Sequence, residues 1–473
     1  MVLPSFELAP CAVIRPRQWQ AQLIQLLRAR LLRPEPGGHD VLVHAGPGAG
    51  KTLGALLGFQ TLAREGRLER LIVFCHRQTI GAQWLAAAAR LGVPLQEWGG
   101  ETLATGGHLL ISYQAAARHL RRLTEDPPKG PWLAVADEVH HLGFDPLEPE
   151  ASAWGQAFTH LSAAARLRLG LSGTPFRADH LAFCAARRIR VHDGDGTQER
   201  IVPDLCVEPR RLIVAGDVRP LQFRFQDGWV EHGRQDEGGE RESSPLSAET
   251  RESWRARNLR RAIRPGDAGG IALRLLLQAR GRLQRLRQDH GRAAGLVIAR
   301  DIDHARTLAT LLRQEGDRVE LVHSQDPEAA LRLQGFETGS ADWLVSIDMA
   351  AEGFDAPRIR VIAYLSTVVT RSRFLQAITR AVRLDGERAA VEPIPRHPSY
   401  VYAPADPLLI AHARTWSLSE PYLIRGPMAP VEPGVPVGGS AGSLPPLKAM
   451  ADDAGAVIRM TGPQLPDFLA TVG

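Results

Sequence analysis

The sequence has few cysteines, almost no lysine and no long apolar run. Its 473 residues include four scattered cysteines, Cys11, Cys75, Cys184 and Cys206, which lack the paired spacing of a zinc site or a disulfide framework. We therefore expect reduced thiols in a cytoplasmic protein. No apolar run approaches the length of a membrane span and no signal peptide is evident, so no membrane is expected among the partners.

Arginine supplies nearly all of the positive charge. The chain carries 57 basic residues, of which only Lys51, Lys129 and Lys448 are lysines, and its net charge is +5. This mild basic excess is compatible with nucleic-acid binding without being diagnostic of it. A lysine kept in an arginine-rich chain is informative, because a compact ammonium fits between phosphates better than a planar guanidinium.

Lys51 lies in residues 45–52 (A-G-P-G-A-G-K-T), which follow an apolar run and precede a helix-compatible stretch. Strand, glycine-rich loop, Lys-Thr and helix form the layout of a phosphate-binding loop. The backbone around Gly46, Gly48 and Gly50 would bind the phosphates of a nucleotide, Lys51 would reach the terminal phosphates, and the Thr52 hydroxyl would hold Mg²⁺. A chance match in a surface turn is the alternative.

Apolar runs alternate with helical patterns in two blocks of the chain, which predicts an α/β fold with two parallel-sheet domains. The predicted strands are residues 41–43, 71–75, 109–112, 133–136 and 167–171 in the first block, and 296–299, 319–322, 344–347, 361–365 and 400–402 in the second. The predicted domains are residues 1–225 and 293–420. Residues 226–292 would form a linker and a basic helical segment, and residues 421–473 a short tail rich in proline and glycine.

The basic segment leaves two interpretations open. Its arginines belong either to a solvated helix face or to a surface that follows the phosphates of a nucleic acid. They are Arg255, Arg257, Arg260, Arg261, Arg264, Arg280, Arg282, Arg285 and Arg287.

A carboxylate pair stands where the fourth predicted strand of the first block ends. Asp137 and Glu138, followed by His140, come directly after the apolar residues 133–136. Carboxylates at the carboxyl end of a central parallel strand face the phosphate loop. Asp137 would then hold Mg²⁺, Glu138 would deprotonate the attacking water, and His140 would sense the γ-phosphate.

In this order the motifs resemble those of superfamily 2 helicases of the DEAD/DEAH-box type, and most closely the motor subunits of type I and type III restriction enzymes. The resemblance spans residues 14 to 383 and implies two tandem RecA-like domains with ATP between them. Residues 14–20 (I-R-P-R-Q-W-Q) resemble the adenine-reading motif, with Gln18 as the amide. Residues 351–357 (A-E-G-F-D-A-P) resemble motif V, which places Gly353 and Asp355 at the nucleotide.

Residues 376–383 (Q-A-I-T-R-A-V-R) resemble motif VI. Arg380 and Arg383 lie three residues apart, so we expect both to project from one helical face. The resemblance makes them arginine fingers that neutralise the γ-phosphate in the transition state. Thr379 stands where the family usually has glycine.

The resemblance also assigns contacts with a nucleic-acid strand to short segments at strand ends. One of these segments, residues 172–177 (S-G-T-P-F-R), resembles motif III, although a plain Gly-Thr-Pro turn is the alternative. The residues expected to contact nucleic acid are His76, Arg77, Ser112, Tyr113, Gln114, Thr174, Arg300 and Ser324. Contacts of this kind reach mainly the backbone of the strand and imply little sequence preference.

The resemblance therefore implies an ATP hydrolase that requires Mg²⁺ and acts as a helicase or translocase on nucleic acid, which we expect to be DNA. One alternative is a motor or switch subunit of a larger DNA-processing or restriction complex, and another is an RNA helicase. Nuclease and methyltransferase motifs are not recognisable in the sequence, so a restriction-type motor would need nuclease or methyltransferase partner subunits.

Overall fold

The computed structural model describes residues 15–32, 39–46, 48–104, 107–142, 150–173, 187–193, 196–232, 242–266, 270–347, 356–384, 386–414, 416 and 422–424. These residues form two compact units that divide between Val207 and Glu208. Among them, no helix combines the length and the apolarity that crossing a membrane requires.

The first unit is built around a seven-stranded parallel sheet with the strand order β3-β4-β2-β5-β6-β1-β9. Its strands are β1 (Asp40–Ala45), β2 (Arg70–Cys75), β3 (Leu95–Glu97), β4 (His108–Ser112), β5 (Trp132–Asp137), β6 (Leu167–Ser172) and β9 (Leu205–Val207). Its helices are α1 (Gln18–Leu32), α2 (Lys51–Arg64), α3 (Gln78–Arg90), α4 (Tyr113–Arg118), α5 (Leu120–Glu125) and α6 (Glu150–Leu161). The antiparallel strands β7 (Arg187–Asp193) and β8 (Gly196–Val202) form a separate small sheet with a strand at Tyr422–Ile424.

The central strands are apolar along their whole length because they are covered on both faces. All six residues of β5 are buried, as are five of six in β1 and β2. Continuous apolar runs of this kind are typical of parallel sheets. Since β6 lies between β5 and β1, the carboxyl ends of these three strands are neighbours at one edge of the sheet.

The second unit has a six-stranded parallel sheet with the order β10-β17-β16-β13-β15-β14. Its strands are β10 (Leu221–Gln226), β13 (Ala294–Ala299), β14 (Val319–Val322), β15 (Trp343–Ile347), β16 (Ile359–Leu365) and β17 (Ser399–Pro404), and β11 (Trp229–His232) pairs with β12 (Glu242–Pro245) in a hairpin. Its helices are α7 (Pro209–Val214), α8 (Glu252–Ala262), α9 (Ile271–Asp289), α10 (Ile302–Gln314), α11 (Ala329–Thr338), α12 (Arg371–Ile378), α13 (Gly386–Val391) and α14 (Pro407–Arg414).

The α/β fold with two parallel sheets is confirmed, and each of the ten predicted strands is present. The division of the chain falls earlier than residue 225, because β10 pairs in parallel with β17 of the second sheet. The signal for β10 is the alternation of apolar Leu221, Phe223 and Phe225 with polar residues. The predicted linker contains the hairpin of β11 and β12, and the tail beyond residue 424 lies outside the described residues.

Candidate nucleotide site

The glycine-rich loop between β1 and α2 is held in place by side chains at the start of α1. Three consecutive carbonyl oxygens of the loop accept hydrogen bonds, Gly48 from Arg17 at 2.7 Å, Ala49 from the Trp19 indole at 3.0 Å and Gly50 from the Gln20 amide at 3.0 Å. These bonds satisfy three carbonyl groups of the loop from one side, and the amide of Ala49 donates to the carbonyl oxygen of Gly46 at 3.1 Å, so the backbone of the loop is held in position.

Glycine is required in this loop for conformational reasons. Gly48 and Gly50 have φ angles of 78° and 81°, in the left-handed region that side chains disfavour. Gly50 immediately precedes α2 and offers no side chain to cap its first turn. The uncapped N-terminus of a helix is a favourable place for a phosphate.

Lys51 lies between the loop and the acidic pair. Its Nζ is 3.5 Å from Oε1 of Glu138 and donates a hydrogen bond to the carbonyl oxygen of Ala45 at 3.3 Å. Gly173, which follows β6, donates its amide to Oε2 of Glu138 at 3.3 Å, and a Cβ atom there would lie only 2.5 Å from the lysine Nζ. The adjacent ends of β1, β5 and β6 therefore bring Lys51, Glu138 and Gly173 together.

Asp137 is the last residue of β5 and is only 6% exposed. Its Oδ2 accepts a hydrogen bond from the indole of Trp84 at 2.7 Å, and its Oδ1 accepts one from the amide of Glu138 at 3.0 Å. Burial, reinforced by the negative charge of Glu138, raises the pKa of Asp137 to about 6, whereas the nearby Lys51 opposes this rise. A cation bound beside it would favour the charged form further.

The donor set suits a magnesium nucleotide. Within the described part of the chain, no group of three or more His, Cys, Asp or Glu side chains is arranged to hold a metal ion on its own. Mg²⁺ typically takes only one or two protein ligands and completes its shell with water and phosphate oxygens. The Thr52 hydroxyl in the first turn of α2 and the carboxylate of Asp137 are oxygen donors of this kind.

The segment at the start of α1 differs in detail from the prediction. Gln18, the predicted adenine-reading amide, is exposed at the first position of α1. Gln20 is fully buried, and it is this amide that contacts the phosphate loop. The sequence also did not predict the contacts of Arg17 and Trp19 with the loop. Gly54 is one sequence signal for the close packing of Trp19, because a Cβ atom at this position would lie 2.9 Å from the Trp19 ring.

Tyr113 does not line a surface, so its predicted direct contact with nucleic acid is wrong. The side chain is fully buried, and its hydroxyl donates to the carbonyl oxygen of Asp137 at 2.8 Å. Tyr113 and Ala116 are the buried residues of α4 and lie on the helix face that packs against α6. Tyr113 instead ties the start of α4 to the end of β5.

His76 is also largely buried, at 8% exposed, and stacks on His141 with their rings 4.1 Å apart. Its carbonyl oxygen accepts a hydrogen bond from the Gln114 amide at 2.9 Å, while Arg77 is half-buried beside it. Ser112 caps α4 by accepting a hydrogen bond from the Ala115 amide at 3.1 Å. These segments therefore contact one another at the carboxyl ends of β2 and β4.

The predicted residues of the second unit are partly described. Ser324 is exposed after β14, and Arg300 is half-buried after β13 with its guanidinium 2.6 Å from Asp301. Arg380 lies in a 3₁₀ turn, Thr379–Val382, that follows α12, and Arg383 leaves this turn in an extended conformation. The predicted shared helical face is therefore wrong for Arg383.

Four predicted site residues fall where no side-chain description is possible. Thr174, Gly353 and Asp355 lie outside the described residues, as does the side chain of His140. Thr379, in place of the usual glycine, is 2% exposed and donates its hydroxyl to the carbonyl oxygen of Gln376 at 3.3 Å. The threonine side chain is thus accommodated inside the second unit.

Two sequence families match the chain. Residues 13–177 match the family described as "Type III restriction enzyme, res subunit", and residues 274–385 match the "Helicase conserved C-terminal domain". The "Uncharacterized protein Rv2917" of Mycobacterium tuberculosis is 32% identical over 390 residues, which cover 79% of this chain and 60% of that protein. The "Uncharacterized protein ML1624" of Mycobacterium leprae is 31% identical over 387 residues, with coverages of 79% and 61%. The chain thus spans about 60% of the length of these relatives.

Solved structures share the fold at low sequence identity. A fragment of an HsdR subunit of a type I restriction enzyme from Vibrio vulnificus aligns with a TM-score of 0.55 and 16% identity, over 86% of this chain and 67% of that one. The type ISP restriction-modification enzyme LlaBIII, bound to DNA, aligns at 0.51 and 12% over 83% and 28%. S. cerevisiae Dbp5, bound to RNA and ADP BeF3, aligns at 0.50 and 12% over 87% and 91%. By these matches the chain is similar to the superfamily 2 helicases, with the fold of two tandem RecA-like domains, and its residues 13–177 are similar to the res subunit of type III restriction enzymes.

Proposed function

We propose that the chain hydrolyses ATP and uses the energy to move along nucleic acid. The observation that supports this most strongly is the meeting of Lys51, Glu138 and Gly173 at three neighbouring strand ends. A lysine and a carboxylate that lie within 3.5 Å of each other beside a glycine-rich loop are the groups that phosphoryl transfer to water needs, one to bind phosphate and one to accept the proton of water.

The same geometry indicates how the site would change when ATP binds. Lys51 pairs with Glu138, and a triphosphate in the loop would compete for this ammonium because its charge is larger. Released from Lys51, Glu138 would accept a proton from the attacking water. The water oxygen would bond to the γ-phosphorus as the bond to ADP breaks, and Lys51 would stabilise the charge on the phosphate oxygens.

Asp137 and Thr52 would hold Mg²⁺, which when bound neutralises charge on the β- and γ-phosphates. Gln18 is assigned to the adenine, and Gly46, Gly48 and Gly50 to the phosphates. Gly353 and Asp355 in the second unit are assigned to the same nucleotide. Arg380 and Arg383 would complete the site if the two units close on it.

We propose DNA as the substrate, on the similarity to restriction enzymes. The family that residues 13–177 match is named after a subunit of type III restriction enzymes. LlaBIII, one of the structural neighbours, is bound to DNA. Dbp5 is bound to RNA, which keeps an RNA helicase as the alternative. Arg77, Gln114, Arg300 and Ser324 stay proposed contacts with the strand.

The chain is also a candidate for the motor part of a larger assembly. Its relatives are longer, and it covers only 28% of LlaBIII. Nuclease or methyltransferase partner subunits would then supply the chemistry on DNA, and the motor would separate no strands by itself. Co-purification from native cells tests this version, since a stable nuclease or methyltransferase partner is its direct expectation.

The decisive experiment is an ATPase assay with single-stranded DNA, duplex DNA and RNA as separate stimulants. We expect Mg²⁺-dependent turnover that DNA raises more than RNA does. Stronger stimulation by RNA than by DNA would favour the RNA helicase. Equal stimulation would indicate a motor that does not distinguish the two nucleic acids. Absence of turnover under all conditions, with Mg²⁺·ATP binding also absent, would contradict the proposed function.

A further inference from the structure

A buried tryptophan contacts the carboxylate of Asp137. Trp84 lies on α3, is 0% exposed, and donates its indole N–H to Oδ2 of Asp137 at 2.7 Å. The amide of Glu138 binds the other oxygen, and Tyr113 binds the carbonyl group of Asp137. The carboxyl end of β5 is therefore fixed by three donors, one from its own backbone, one from α3 and one from α4.

The hydrogen bond of Trp84 is not a requirement for burying a tryptophan in this protein. Trp132 and Trp343 are 1% and 0% exposed, and within the described residues their indole nitrogens have no hydrogen-bond partner. The protein thus accommodates buried tryptophans whose N–H groups are unsatisfied. Unlike Trp132 and Trp343, Trp84 thus has a defined partner, the Oδ2 atom of Asp137, which it holds at 2.7 Å.

We infer that Trp84 is a positioning residue that fixes the side-chain orientation of Asp137 and thereby sets how strongly Mg²⁺ enhances nucleotide binding. The inference rests on the proposed function, in which Asp137 holds the metal. The terminal torsion of an aspartate is broad and roughly two-fold, so hydrogen bonds to both oxygens narrow its orientation, and the indole is the donor that holds Oδ2. Residues that orient a metal ligand in this way typically account for about 10- to 100-fold in metal affinity.

Trp84→Phe removes the donor and keeps an aromatic ring, and Trp132→Phe is the matched control. Trp132 is equally buried in the same unit, but its indole nitrogen has no partner, so the control removes the same ring volume without breaking a hydrogen bond. The measurement is the affinity of the full chain for a fluorescent ATP analogue, with Mg²⁺ and with EDTA. The ratio of the two affinities reports the metal contribution without requiring hydrolysis.

We expect Trp84→Phe to lower this ratio by about 10-fold or more while leaving the affinity in EDTA unchanged. Trp132→Phe should keep the wild-type ratio. If Trp84→Phe is insoluble, replacing Trp84 with β-(3-benzothienyl)alanine keeps the shape of the indole and exchanges only its N–H for sulfur. A wild-type ratio for either replacement of Trp84, or an equal fall in both phenylalanine variants, would overturn the inference. If the wild-type chain shows no effect of Mg²⁺ at all, the proposed function itself fails.

Discussion

Glu138 has a φ angle of 49°, which places a non-glycine residue in the left-handed region. Such a conformation costs on the order of 1 kcal/mol and is found most often where function requires it. Here it turns the chain after β5 so that the carboxylate reaches both Lys51 and the amide of Gly173. The sequence motif predicts which residue is the base, whereas this backbone conformation could not be predicted from it.

Glu138→Gln should retain ATP binding and lose turnover. The amide keeps the size of the side chain but accepts no proton, so we expect hydrolysis to fall by at least about 100-fold. Because the ionic competitor for Lys51 is gone, ATP affinity should stay equal or increase. Lys51→Ala should instead weaken ATP binding itself.

Steady-state turnover and equilibrium ATP binding, measured on both variants, check this prediction. The control is Glu125→Gln, which neutralises an exposed carboxylate at the end of α5. Turnover at the wild-type rate in Glu138→Gln would remove this residue from the proposed chemistry. Unchanged ATP affinity in Lys51→Ala would do the same for the lysine.

The sequence does not reveal the residues that act by contacting and holding other parts of the site. The motif pattern led to Lys51 and Asp137 because their spacing after a strand is diagnostic. Trp84 and Gln20 act through contacts with distant segments, and no local pattern encodes such a contact. Tyr113 was misassigned for the same reason, since its position beside polar neighbours gave no sign of its burial.

At the level of elements, the basic segment separates into two kinds of arginine. Four of its arginines make structural contacts: Arg255 with Asp406, Arg280 with Asp317, Arg287 with Asp342, and Arg282 over the Tyr400 ring at 4.4 Å. Arg257 and Arg264 are exposed. Burial, together with the positive charges of Arg264 and Arg257, lowers the pKa of Arg261. Arg285 on α9 is exposed as well. The phosphate-tracking interpretation therefore narrows to Arg257, Arg264 and Arg285.

Reversing the charge of Arg257 and Arg264 to Glu should weaken nucleic-acid binding and flatten its salt dependence. Each lost phosphate contact reduces the slope of log K against log salt by about 0.7 to 0.9. The control reverses Arg306 and Arg332, which are exposed arginines on α10 and α11. Binding isotherms at several salt concentrations give the slopes, and equal slopes for both double variants would favour a solvated face.

Strands were the elements most reliably predicted, and turns the least. Buried parallel strands are continuous apolar runs such as residues 133–136, so they stand out in the sequence. The edge strand β10 alternates apolar and polar residues, which is a weaker signal than a continuous apolar run, and its pairing with the distant β17 has no local signal. The 3₁₀ turn after α12 begins at the buried Thr379, and sequence spacing alone does not distinguish such a turn from a continued α-helix.

At the scale of the whole molecule, the second unit contains buried ionisable groups that should make it sensitive to acid. Burial, helped by Arg360, Arg388 and Arg219, lowers the pKa of His290 to about 4, while Glu392 opposes this shift. Folding favours the neutral form of His290. The contribution of this neutral histidine to the stability of the folded state is therefore complete above its ordinary pKa of about 6.5. It is lost as the pH falls toward 4 and amounts to about 3 kcal/mol.

His290→Asn should reduce the loss of stability between pH 7 and pH 5. Burial also lowers the pKa of His304 and His412 in this unit, so part of the dependence should remain. Urea unfolding at the two pH values, compared with the wild-type chain, gives the difference in stability. A pH dependence identical to wild type would show that His290 is not protonated on unfolding in this range.

Coupling between the two units is the property on which the proposed function depends as a whole. Lys51 belongs to the first unit and Arg383 to the second, so the proposed function requires both units to act on one nucleotide. Arg383→Ala should spare ATP binding, because the first unit supplies Lys51 and the loop. It should lower single-turnover hydrolysis by about 10³-fold or more, the typical cost of removing an arginine finger. Arg306→Ala, an exposed arginine of the same unit, is the control and should hydrolyse ATP normally. If Arg383→Ala and Arg380→Ala both hydrolyse ATP as fast as this control, catalysis does not require the second unit.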